Sequence, residues 1–174
     1  MGWLPMLVSA LLSIAILSSA QSIPDGQSSA RQPQAQGYWV DPSTSLMWTA
    51  KDNGKDINGH KAIKYCRNLH LAGYSDWRLP NMAEIQGIFD KNVNAPGSAG
   101  YYKKLRPFTW HVKGNLFLTG DQWTSNYRED DRGHNSGYSW YFDFNEGRPN
   151  DEPTGWPYSS AGMRALCVRG QTDH

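Results

Sequence analysis

The spacing of apolar positions divides the chain after Gly37 into short elements. The runs Tyr38-Trp39-Val40 and Leu46-Met47-Trp48 flank the turn-forming cluster Asp41-Pro42-Ser43-Thr44-Ser45 and read as a hairpin. Ala62, Cys66 and Leu69 recur at i, i+4 and i+7 with Ile63 beside them, which predicts a helix over Asn58–Leu69 with Cys66 facing the core. A second helix begins at Asn81, whose side chain can cap free amides while Glu84 completes a capping-box pair. Ile85, Ile88 and Phe89 give this helix an apolar face, and it is expected to end near Lys91. From Asn92 to Lys113, Gly, Pro and Tyr occur without periodicity, the pattern of a long loop. Leu116–Thr119, Ser139–Phe144 and Arg164–Val168 read as strands, and Asn145-Glu146-Gly147 as a turn. Together these elements predict an α+β domain in which two short helices pack on small antiparallel sheets with long loops.

Before Gly37 the pattern is different. Leu4–Leu17 is an apolar run followed by Ser18, Ser19 and Ala20, small residues that suit cleavage before Gln21. Residues 1–20 therefore read as an export signal peptide, although the amino terminus is the only positive charge ahead of the run. The run is shorter than the roughly 20 residues a membrane span needs, and Gln21 offers no thiol for lipid attachment. Residues 21–36 are rich in Gln, Ser and Pro with one large aliphatic side chain, too little apolar surface to offset ordering entropy, so they read as a disordered linker. Residues 37–170 are then the folded domain of a secreted or periplasmic protein with no membrane span.

Composition sharpens this reading at two points. Aromatic residues are 13% of the chain, with eight Trp, nine Tyr and five Phe, enough to build a core around large rings. The formal net charge is +1, so nucleic-acid binding is not expected and any electrostatic partner must be sought in local clusters. There are two cysteines, Cys66 and Cys167, and in an exported protein the even count favours a disulfide over two buried free thiols. Closing a loop of about 100 residues stabilises by roughly 4.7 kcal/mol in the chain-entropy picture.

The segment Ala62–Pro80, AIKYCRNLHLAGYSDWRLP, followed by Asn81, Glu84 and Ile85, resembles the Lcl C-terminal domain family, named for a Legionella collagen-like protein. Gln122-Trp123-Thr124-Ser125, Trp140–Phe144 with Gly147, and Leu166-Cys167-Val168-Arg169 are similar to further elements of that family. The resemblance implies a C-type-lectin-like fold with a disulfide from the first helix to the last strand. It also implies an adhesin-type module that recognises sulfated polysaccharides.

The residues themselves point to the same ligand class. Lys91, Lys103, Lys104, Arg106 and Lys113 are the only Asp, Glu, Lys or Arg residues between positions 91 and 120. Tyr101, Tyr102, Phe108 and Trp110 lie among them, a mixture in which rings stack on sugar faces while cations meet sulfate or carboxylate. On the first helix Lys61, Lys64 and Arg67 are spaced to share one exposed side, next to His60. The candidate ligand-binding set is therefore Tyr101, Tyr102, Lys103, Lys104, Arg106 and Trp110, with Lys64 and Arg67 in support. Asp76-Trp77-Arg78-Leu79-Pro80 reads as architecture, with Arg78 available to Asp76 or backbone carbonyls. Acids concentrate at Glu129–Asp131, Asp143, Glu146, Asp151 and Glu152, but in no EF-hand order, so no metal or other cofactor is assigned. No His-Glu-x-x-His, Gly-x-Ser-x-Gly, phosphate loop or Cys-x-x-Cys occurs, and the expectation is a non-enzymatic binding module. The alternative is a protein-interaction or structural component of the cell envelope.

A chain beginning at Gly37 is expected to melt within about two degrees of one beginning at Gln21, because the linker contributes no core. A clear drop in melting temperature would show that residues 21–36 pack against the domain.

Overall fold

The computed structural model describes residues 35–100, 104–156 and 160–171, together with Met1. The leader and almost all of the linker lie outside the described residues.

Strands β1 (Tyr38–Val40) and β2 (Met47–Thr49) form the expected hairpin, with Trp39 opposite Trp48. Buried Asp41 closes the turn: its carboxylate accepts from the Ser43 amide and the Thr44 hydroxyl. Helix α1 (Gly59–Arg67) is capped by Asn58, which accepts from the Lys61 amide, and it buries Gly59, Ala62 and Cys66. Helix α2 (Met82–Gly87) has the full capping box between Asn81 and Glu84. It stops short of Lys91 because a neighbouring segment captures the next backbone groups. Asp90 donates to the His111 carbonyl, Lys113 donates to that of Ile88, and Phe89 bridges Val112.

The stretch read as a loop holds a hairpin instead, β3 (Ala95–Ala99) paired with β4 (Arg106–Trp110). Pro96, Gly97 and Pro107 hide it from pattern reading, and its reason is tertiary. A Cβ on Gly97 would strike both the Trp110 ring and the Leu118 carbonyl, so only glycine lets that ring lie against the strand. Leu116–Thr119, expected as a strand, runs irregularly after a 3-10 turn at Lys113–Asn115, and the Leu118 carbonyl accepts from Ser98.

A four-stranded sheet follows: β5 (Asp121–Glu129), β6 (Asn135–Asp143), β7 (Arg148–Pro153) and β8 (Met163–Arg164), in the order β7-β6-β5-β8. Gly147, at φ 70°, makes the β6–β7 turn. The expected strand Arg164–Val168 divides in two. Met163–Arg164 pairs parallel to β5, while β9 (Val168–Arg169) pairs antiparallel to β2. Between them the side chains alternate: Leu166 and Val168 enter one core with Trp48, Ile85 and Phe142, and Ala165 and Cys167 enter a second with Trp77, Leu79 and Trp123. Trp123 is fully buried, whereas Trp140 is only half-buried.

Polar groups close the structure around these cores. Arg78 does not pair Asp76. It donates twice to Glu84, at 2.8 and 2.7 Å, and once to the Gly170 carbonyl, while Asp76 pairs with Arg169. Burial disfavours the Glu84 carboxylate, but donors from Arg78 and Asn81 outweigh it and hold the group below its ordinary range. Asp52 is buried between Thr119 and Gln122, and desolvation pushes its carboxyl up against their hydrogen bonds. Among the described residues no helix is long and apolar enough to cross a membrane.

Cys66 and Cys167 are joined, with Cα atoms 5.4 Å apart, so the disulfide ties α1 to the end of the domain. Replacing both by Ser is expected to destabilise by about 2–5 kcal/mol, read by chemical denaturation. Peptide mapping without reductant is expected to recover the cross-linked pair; two free thiols would contradict the structure.

Candidate functional site

The α1 surface carries the first candidate. With Ala62 and Cys66 turned inward, Lys61, Lys64 and Arg67 are all exposed, and none makes an ion pair among the described residues. Lys64 and Arg67 lie in the last turn, where the helix carbonyls favour cations. Lys61, Lys64, Tyr65, Asn68, Leu69 and His70 line a depression of about 410 Å³, with no carboxylate among the described residues that line it. Its floor is the half-buried Tyr65 and Leu69, and His70 Nδ1 lies 3.1 Å from the Asn68 carbonyl. Arg67 faces a neighbouring hollow beside Trp77 and Arg78.

The β3–β4 hairpin carries the second. Lys104 and Arg106 are exposed and unpaired among the described residues, while Tyr101, Tyr102 and Lys103 lie outside them. Trp110 stands apart from these cations: it is 4% exposed, and its indole donates to the Ser98 carbonyl at 3.1 Å. The ring that remains accessible is Phe108, 37% exposed and 4.7 Å from Trp110, with Leu105 equally exposed nearby. Among the described residues, neither the two hollows beside α1 nor the cleft over the sheet contains cations of both helix and hairpin.

A third feature was not expected from sequence. The register that sets Gln122 against Phe142 and Trp123 against Tyr141 puts Asp121, Tyr141 and Asp143 on one face of the sheet. Glu152, opposite Ser139, joins that face from β7. Asp121, Tyr141 and Glu152 line a cleft of about 360 Å³ with Trp110, Met163, Ala99 and three glycines. The Asp121 carboxylate has no hydrogen bond or ion pair among the described residues. Burial pushes it up to about 7, and the charges of Asp143 and Glu146 add to the shift while Arg164 opposes it. The Tyr141 hydroxyl is pushed up to about 12, first by burial and then by Asp121, Glu152 and Asp143. The alternation of Asp121 with Trp123, and of Tyr141 with Asp143, was the available sequence signal. It could be read only once the two strands were known to pair. Among the described residues, no three His, Cys, Asp or Glu side chains are grouped to hold a metal.

A family model described as the Lcl C-terminal domain matches residues 37–169, which include both helices and all of the sheets. Neither a curated protein nor a solved structure matches the chain.

The Asp121 shift makes stability depend on pH. Its folded value lies above the ordinary 3.8, so the stabilisation of its protonated form is complete below that value and is lost as pH rises through about 7. Asn cannot ionise, and Asp121→Asn is therefore expected to raise the melting temperature at pH 8 and leave it nearly unchanged at pH 4. Equal melting of the two proteins at pH 8 would contradict the shift.

Proposed function

The chain belongs to the Lcl C-terminal domain family, and from that premise we propose that it is a secreted, non-catalytic module that binds acidic or sulfated extracellular glycans. The α1 depression carries this reading: Lys61 and Lys64 rim a hollow floored by Tyr65 and Leu69, with no carboxylate among its described lining residues. A sugar ring lies against such a floor while its sulfate or carboxylate takes charge-assisted hydrogen bonds from the lysines. Lys104 and Arg106 on the hairpin are further exposed cations for a polyanion, as is Arg67 on α1. Both cysteines are committed to the disulfide, which supports a reading without thiol chemistry. The link from first helix to final segment, with two helices on small, mainly antiparallel sheets that carry one parallel edge strand, supports a C-type-lectin-like architecture. A protein partner in the cell envelope is the second reading, favoured by exposed Leu105 and Phe108 on the hairpin.

Salt separates these readings, because screening weakens exposed charge contacts and hardly affects an apolar interface. The wild type is expected to be retained on heparin above about 0.15 M salt and not on a neutral polysaccharide. Exposed charges contribute modestly, so Lys61→Ala with Lys64→Ala is expected to weaken heparin binding roughly tenfold in affinity with little change in melting temperature. Lys104→Ala with Arg106→Ala tests the hairpin in the same way. Elution below about 0.15 M salt, or retention unchanged in both double variants, would turn the assignment to the protein partner.

A further inference from the structure

We propose that the cleft over β5, β6 and β7 is a separate binding site for a small organic cation, whose ammonium or guanidinium group meets Asp121 and Glu152 while its carbon skeleton lies against Trp110 and Tyr141. The site is a built cavity. Its volume of about 360 Å³ falls within the roughly 300–1,000 Å³ of small-molecule sites. Trp110 and Met163 give it nearly buried apolar walls, and Tyr141 offers a ring face for a cation.

The charges select the ligand. Among the described residues no Lys or Arg lines the cleft. Arg164, the cation behind it, is fully buried and turned to the Asp56 carboxylate and the Thr119 hydroxyl, at 2.6 and 2.7 Å. Four other carboxylates have donors: Asp52 has Thr119 and Gln122, Asp76 has Arg169, Glu84 has Arg78 and Asp151 has Arg128. Asp121 is half-buried, has no such partner among the described residues, and faces Asp143 from β6, Glu146 from the β6–β7 turn, and Tyr141 and Glu152 across the cleft. A carboxylate in that position destabilises the fold until a positive group meets it. An anion finds no donor of opposite charge there. A divalent metal, which takes six to eight oxygen ligands when it is calcium, finds two carboxylates, one tyrosine hydroxyl and otherwise apolar walls among the described lining residues. An organic cation satisfies the carboxylates and the rings together.

Binding then requires ionised Asp121, so a cation must displace its proton below about pH 7 and affinity falls as pH is lowered. The test is calorimetric titration of the full chain with cadaverine and with its uncharged counterpart 1,5-pentanediol. Cadaverine is expected to bind at pH 8, to bind several-fold more weakly at pH 5.5, and to lose at least tenfold in affinity in Asp121→Asn. Pentanediol is expected not to bind. Among the described residues the Asp121 side chain makes no hydrogen bond that Asn would break, and Glu152→Gln provides a second variant with the same expected loss should the first fail to fold. Heparin retention is not expected to fall in either variant, so the outcome is independent of the glycan reading. No heat with cadaverine, equal binding of pentanediol, undiminished binding in both variants, or calcium binding in place of the amine would overturn the proposal.

Discussion

The alternation of side chains along Ala165–Val168 is the constraint on which both cores depend. Within four residues the chain crosses from the parallel edge of the four-stranded sheet to the β1–β2 hairpin, supplying Ala165 and Cys167 to one core and Leu166 and Val168 to the other. Such a crossing holds only if the segment cannot slip, since a shift of one residue would exchange its faces. Three covalent or polar contacts pin it. The disulfide holds Cys167 to α1, the Arg78 and Val168 backbones exchange both hydrogen bonds at 2.8 and 2.9 Å, and the Thr49 hydroxyl accepts from the Cys167 amide. Arg78 adds its side chain to the Gly170 carbonyl just beyond.

The nearly neutral total charge conceals two opposed surfaces. On α1, Lys61, Lys64 and Arg67 project from a helix with no acid in its first turn. On the sheet, Asp121 and Glu152 share a cleft with no cation among its described lining residues. Short-range pairing neutralises much of the remaining charge, as at Arg128 with Asp151 and Arg148 with Glu146. What remains unpaired is therefore positional, and each surface suits a ligand of the opposite sign.

Elements whose cause is local were legible in the chain. The caps at Asn58 and Asn81 act within three residues; the sequence places the cap at Asn81 and the start of the first helix at Asn58. The β1–β2 hairpin depends on a turn whose side chains bond to their own backbone, so it was legible too. The β3–β4 hairpin was not, because what holds it is distant: Leu118 accepts from Ser98, and Trp110 lies against Gly97. The outer half of β5 is exposed from Ser125 to Glu129 and shows no apolar alternation to reveal a strand. Trp110 shows the same limit among site residues. An aromatic beside cations fits stacking on a sugar as well as it fits a core wall, and only its burial and its bond to Ser98 distinguish them.

By itself the sequence determined the α+β class, the two helix starts, the family and the exposed basic side of α1, because each rests on neighbours within a few positions or on a recognisable string. The disulfide followed from two cysteines in a chain read as exported, with a physical partnership that the fold then supplied. Tertiary structure alone decided where α2 stops, which residues answer Arg78, and how Arg164–Val168 divides between two sheets. It also decided the acidic cleft. Asp121, Tyr141 and Glu152 are brought together by strand register and not by spacing, and the pairing of β5 with β6 and β7 is a choice made by the whole packed molecule.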